Sequence, residues 1–185
     1  MKKTIILLFS ILLSITFSSC ENDDTINEEE QIQIVCDGDY ILKTQQEVNE
    51  FGSSGCTDLT GNLIIDDSLD GIYDIVNLEP LNNIMSIAGN LEIGSNNNLT
   101  QINAFTNLKT IGQNVTIGSN ENITQINGFN ELLTIDRNFI IVTNNGLIQI
   151  NGFNKLATIG YVFRIQQNDN LNEISGFELF RQCWL

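Results

Sequence analysis

Residues 110–129 read Thr-Ile-Gly-Gln-Asn-Val-Thr-Ile-Gly-Ser-Asn-Glu-Asn-Ile-Thr-Gln-Ile-Asn-Gly-Phe, and the pattern recurs on both sides at a strict spacing of 24 residues. The apolar residues fall into columns. They are Ile87, Ile111, Ile135 and Ile159; Ile93, Ile117, Ile141 and Ile165; Leu99, Ile123, Leu147 and Leu171; Ile102, Ile126, Ile150 and Ile174; and Phe105, Phe129, Phe153 and Phe177. Four full copies are present. A fixed period of this length marks a repeat architecture, in which no unit buries its own apolar side and stacked neighbours build one continuous core.

Within each copy the apolar residues come in short β-branched runs such as Val115-Thr116-Ile117. Asn, Gly and Ser separate the runs, and no amphipathic stretch between them is long enough for a helix. Strands and turns follow. At about 4.8 Å between strands, each Ile or Phe stands above its counterpart in the preceding copy. Gly61-Asn62-Leu63-Ile64-Ile65 echoes Gly89-Asn90-Leu91-Glu92-Ile93 at a spacing of 28, which adds an irregular earlier coil and makes about five in all. Ahead of it, residues 44–51 read as a short amphipathic helix preceded by a strand. The expected fold is all-β, a parallel β-solenoid with a short N-terminal helical cap.

These residues resemble the receptor L-domain family, a leucine-rich-repeat-like β-solenoid. The resemblance runs from about Cys36 to Phe180. It rests on the cap between Cys36 and Cys56, on Asp58-Leu59-Thr60 leading into Gly61-Asn62-Leu63-Ile64-Ile65, on Leu78-Glu79-Pro80-Leu81-Asn82-Asn83-Ile84, and on the Phe-x-x-Leu-x-x-Ile of each later coil. It implies a right-handed solenoid and, as in the receptor members, a broad sheet face that binds a protein ligand. The sequence departs from the family pattern at Phe180-Arg181-Gln182-Cys183-Trp184-Leu185, where a closing coil or cap is expected. The end is then either poorly protected or a point of truncation within a larger surface protein.

The first twenty residues hold a basic start at Lys2 and Lys3, an apolar run from Ile5 to Phe17, and then Ser18-Ser19-Cys20. The run is short for a permanent membrane span, and small residues leading into a cysteine resemble the bacterial lipobox. Residues 1–19 are therefore expected to be a lipoprotein signal peptide, with Cys20 becoming the acylated N-terminus. Residues 20–32 form an acidic tether too poor in apolar groups to order itself. Its acids either direct the protein to the outer face of the outer membrane or simply solvate a linker. Residues 33–185 carry the solenoid. With Cys20 lipidated, Cys36 and Cys56 are the natural disulfide pair in an oxidising compartment, and Cys183 is left over.

Composition narrows the function classes. The formal net charge is −15, and with Lys2 and Lys3 removed six of the eight bases remain against 23 acids. Such a surface repels nucleic acid and anionic lipid. There is no histidine, the usual general base near neutral pH. No nucleotide loop, zinc spacing or nucleophile elbow occurs, and the Asp and Glu residues do not converge on one outward patch.

The recurrent Asn96, Asn120, Asn144 and Asn168 are expected to form a hydrogen-bonded ladder, and the Phe105 column to be core stacking. Asp66, Asp67, Asp70 and Asp74 read as a solvated acidic turn, since their spacing matches no calcium loop. The glycosylation patterns at Asn98, Asn114 and Asn122 read as by-products of the repeat. Outward positions are free to vary between coils, and one such column, Ile64, Glu92, Thr116, Ile140 and Arg164, is the candidate binding face. Gln101, Gln125, Gln149 and Glu173 form another. Plain solvated sheet is the alternative for both.

The expected function is a surface-anchored, non-enzymatic binding or adhesion module for a protein or glycan partner. No cofactor or metal is expected, and membrane contact is through the lipid anchor only. The outer membrane of a Gram-negative bacterium, facing the exterior, is the expected location. The rival reading is a structural, self-associating envelope protein.

Overall fold

Each 24-residue copy contributes three short strands, and each strand pairs in parallel with its counterpart one copy away. The computed structural model describes Thr4–Ile5 and residues 32–180. The expected leader and tether, apart from Thr4, Ile5 and Ile32, lie outside the described residues, as do Cys20 and Cys183.

The first sheet runs in the order Ile34–Cys36, Asp58–Leu59, Ser86–Ile87, Thr110–Ile111, Thr134–Ile135 and Thr158–Ile159, with Thr4–Ile5 antiparallel beside Ile34–Cys36. The second stacks Tyr40–Leu42, Leu63–Asp66, Leu91–Gly94, Val115–Gly118, Phe139–Val142 and Phe163–Gln166. The third stacks Gln101–Ile102, Gln125–Ile126, Gln149–Ile150 and Glu173–Ile174. Five coils follow the cap, and the cap itself adds a strand to each of the first two sheets. The helix is Gln45–Ser53, capped by the Thr44 hydroxyl accepting from the Glu47 N–H, and it buries Val48 and Phe51. A disulfide joins Cys36 to Cys56.

The apolar columns meet inside the three sheets and form one core. Phe105, Phe129 and Phe153 are fully buried, and their rings stack at centroid distances of 5.1 and 5.0 Å. Each sits at positive φ, 61° to 65°, a conformation rarely taken by a bulky residue. The position before it explains why that backbone is held. A Cβ on Gly128 would lie 2.0 Å from the Ala104 carbonyl oxygen, and one on Gly152 would lie 2.1 Å from that of Gly128. Only a very small residue lets the coils close at this corner, and the chain then turns through the phenylalanine to aim its ring inward.

Coverage falls in the last coil. Ile159, Phe163, Ile165, Leu171 and Phe177 are only partly buried, and Ile174, expected in the core from its column, is 52% exposed. Among the described residues no strand stacks beyond Phe163–Gln166, so these side chains have a neighbour on one side only.

Two asparagine ladders hold the coils in register. In the first, Asn96 donates from its backbone N and from Nδ2 to Asn120 Oδ1 at 3.0 and 3.1 Å. Asn120 does the same to Asn144, and Asn144 to Asn168. The Nδ2 of Asn120 also donates to the carbonyls of Ile93 and Gly118. In the second ladder the direction reverses: Asn62, Asn90, Asn114 and Asn138 each donate from N and Nδ2 to the residue one coil earlier, starting from Asp39 Oδ1. Buried polar groups left without partners cost roughly 1–3 kcal/mol each.

Asn120→Ala strips the acceptor from two donors of Asn96 and is expected to destabilise the fold by about 3 kcal/mol or more in urea unfolding. Asn122→Ala, whose amide reaches the Asn97 carbonyl at an exposed site, is expected to cost about 0.5 kcal/mol or less.

Candidate functional site

Strand alternation sends Leu63, Ile65, Leu91, Ile93, Val115, Ile117, Phe139 and Ile141 into the core, so the residues between them face out. The register places Ile64, Glu92, Thr116, Ile140 and Arg164 in one continuous row, each beside the next. Glu92 and Arg164 are exposed, while Ile64, Thr116 and Ile140 are half-buried. The row extends one residue further than expected. Ile41, 46% exposed, pairs with Ile64. Its signal was Asp39-Tyr40-Ile41-Leu42, which mirrors Asn62-Leu63-Ile64-Ile65 with an aspartate in the ladder position.

A second outward row runs beside the first: Asp66, Gly94, Gly118, Val142 and Gln166. In the middle of the face, Gly94 and Gly118 leave this second row low beside Glu92 and Thr116. The four-residue strands make this the widest of the three faces. Gln101, Gln125, Gln149 and Glu173 also share one row, on the narrower third sheet. The outward row of the first sheet is polar from Asp58 through Ser86, Thr110 and Thr134 to Thr158, with the half-buried Val35 beside Asp58 at its cap end.

The acidic turn differs from its expectation at one residue. Asp67 is buried, not solvated, because it stands at the foot of the first asparagine ladder: its backbone N donates to Asn96 Oδ1 at 3.2 Å. Its carboxylate accepts from the N–H groups of Asp74 and Ile75 at 3.0 and 3.1 Å. Burial pushes the Asp67 carboxyl above the usual carboxylate range, the two backbone bonds pull it back, and the charges of Asp74 and Asp70 push it further up. Asp66 and Asp70 accept from N–H groups of the same turn, and Asp74 accepts from the Gln45 N–H. Among the described residues no group of three or more carboxylates or cysteines is arranged to hold a metal ion.

The asparagines of the glycosylation patterns are engaged in the stack. Asn114 belongs to the second ladder, and the amides of Asn98 and Asn122 donate to the carbonyls of Tyr73 and Asn97. A shallow hollow of about 250 Å³ opens beside the cap, lined by Ile32, Gly55, Thr57, Asn83, Met85 and Asn107, none of them charged. Among the described residues no helix is long and apolar enough to cross a membrane.

Three stacked sheets around piled rings, with ladders at the turns and variable residues outside, define a repeat β-solenoid. The receptor L domain family model matches residues 55–154, more than half of the chain, and the chain belongs to that family. The family is one of non-enzymatic ligand-binding modules, and its members take protein ligands. Neither a curated protein nor a solved structure matches the chain.

Asp67→Asn places an NH2 group against either the Asp74 or the Ile75 N–H and is expected to cost about 1–3 kcal/mol. A raised folded-state pKa means that the contribution of Asp67 is greatest below the unfolded aspartate value, about 3.9, and is lost as pH rises through the folded value. The stability gap between wild type and Asp67→Asn is therefore expected to widen on going from pH 7 to pH 4 in denaturant titrations. A gap that narrows would contradict the assignment.

Proposed function

We propose that this protein is a lipid-anchored, surface-exposed binding module that takes a protein partner on the outward face of the second sheet, with Ile64, Glu92, Thr116, Ile140 and Arg164 as its central row. The observation that carries this reading is the row itself: a mixed apolar and charged surface on a platform whose inward side, from Leu63 to Ile141, is buried in the core. A protein suits it better than a glycan, because the row offers no aromatic ring on which a sugar could stack and sets the apolar Ile64 and Ile140 among the charged Glu92 and Arg164. The family to which the chain belongs supports the same choice.

A photo-crosslinking residue placed at Thr116 in the full chain is expected to give protein adducts in the cells that make it, and one at Thr134 on the first sheet is not. Equal labelling at both positions would sink the reading. The anchor is tested separately. Cys20→Ala is expected to abolish palmitate incorporation and release the protein from the membrane fraction, and protease treatment of intact cells is expected to degrade the wild type.

A second reading, self-association, is favoured by the half-covered columns of the last described coil and by the edge of Phe163–Gln166, which no further strand pairs among the described residues. It requires a concentration-dependent dimer in light scattering. A strict monomer at all concentrations excludes it.

A further inference from the structure

The outward face of the second sheet is too small to serve alone. Six strands at about 4.8 Å and four residues at about 3.3 Å span roughly 24 by 13 Å, a projected area on the order of 300 Å². A stable protein interface buries about 800 Å² per partner. Additional surface must come from an element at the margin of the face.

The loop that leaves strand Leu63–Asp66 supplies it. This is the one place where the coil spacing lengthens from 24 to 28 residues. Its base is fixed: the Asp67 carboxylate holds the Asp74 and Ile75 N–H groups, and Ile75 is buried in the core. Gln45, at the start of the helix, accepts from the Val76 and Asn77 N–H groups with Oε1 and donates to the Asn77 carbonyl with Nε2. Asn98 of the next coil donates to the Tyr73 carbonyl. On this pinned backbone Leu69, Ile72, Tyr73 and Val76 are 53, 62, 43 and 56% exposed. Four large apolar side chains held outward on one short, hydrogen-bonded loop form a pre-organised contact surface rather than scattered surface residues.

The charge around the loop specifies the partner. No Lys or Arg stands between Lys43 and Lys109, while nine acids do. Asp70 and Asp74 are exposed beside the apolar tips, and Asp66 is half-buried at the end of the sheet row. Such a field attracts a cationic surface and repels an acidic one.

We propose that the loop from Asp67 to Val76 is the principal docking element of this protein, and that it takes a protein partner whose contact surface combines apolar and basic side chains. This rests on the reading of the chain as a binding module but shifts the centre of the contact from the sheet row to the sheet margin. The later coils, where Lys109, Arg137, Lys155 and Arg164 stand, contribute less.

The test uses a random-peptide phage-display library selected on the full-length protein. Recovered peptides are expected to mix Arg or Lys with aromatic or aliphatic residues, and to bind more weakly as salt is raised. Combined Leu69→Ser, Ile72→Ser and Val76→Ser substitutions are expected to reduce binding at least tenfold, while Thr134→Arg on the first sheet leaves it unchanged. Circular dichroism checks the fold of the triple variant, and Ile72→Asp alone, at the most exposed tip, serves if that variant unfolds. Peptides that survive the loop substitutions but are lost with Ile140→Arg overturn this inference and leave the sheet-face reading standing. Binding lost in neither case, peptides without basic residues, or no binders at all overturn it as well.

Discussion

The asparagine ladders are the constraint on which the rest of the structure depends. A solenoid turn leaves backbone N–H groups facing the next coil with no strand to receive them, and a buried N–H without an acceptor is costly. An amide side chain at a fixed phase solves this at every coil, because one Oδ1 takes two donors from its neighbour while Nδ2 satisfies carbonyls of the turn. The two ladders flank the second sheet. Asn90, Asn114 and Asn138 come immediately before its strands, and Asn96, Asn120 and Asn144 come just after them. They run in opposite directions, so both margins of that sheet are held by side-chain bonds in addition to the strand ladder. A substituted row on its outer surface changes chemistry without moving the platform.

The ends of the ladders show the same logic in their residue types. The second ladder begins with Asp39, which has only to accept, and it ends at Val162, which has only to offer its backbone N–H. The first begins with Asp67, which has only to donate from its backbone. An amide is needed in the middle of a ladder and not at its foot.

Most of the fold was legible because stacking makes the period itself a structural quantity. A core column needs the same residue type at the same phase in every coil, so Ile93, Ile117, Ile141 and Ile165 announce their contact by their spacing. The ladder through Asn96 was legible for the same reason, and the one through Asn90, Asn114 and Asn138 carried the same 24-residue signal. The left-handed backbone of Phe105, Phe129 and Phe153 was not legible, since it arises from the approach of coils at Ala104, Gly128 and Gly152 and not from any local preference of phenylalanine. The burial of Asp67 was hidden by the 28-residue coil, which displaces it from the phase of Asn96. Strand alternation put Ile64, Glu92, Thr116, Ile140 and Arg164 in one outward row, as the register shows, but Ile41 was missed because the cap departs from the period too. What an outward residue contacts cannot be read from periodicity, because outward positions are the ones that stacking leaves unconstrained.

That freedom is not evenly distributed along the chain. In the regular coils the ladders commit both margins of the second sheet, and only single side chains on its face can vary. At the foot of the first ladder the requirement is halved, and the carboxylate of Asp67 is released from bridging coils. It is used instead to fold a loop of its own, closed from the other side by Gln45 of the cap helix. The insertion is thus stable because it begins where the repeat begins. A loop of the same length placed between Asn120 and Asn144 would have to interrupt bonds on both sides. The site with the most room for an irregular, apolar, outward-facing element is therefore fixed by the arithmetic of the ladder, and it lies beside Asp66, Asp70 and Asp74 in the first coil after the cap.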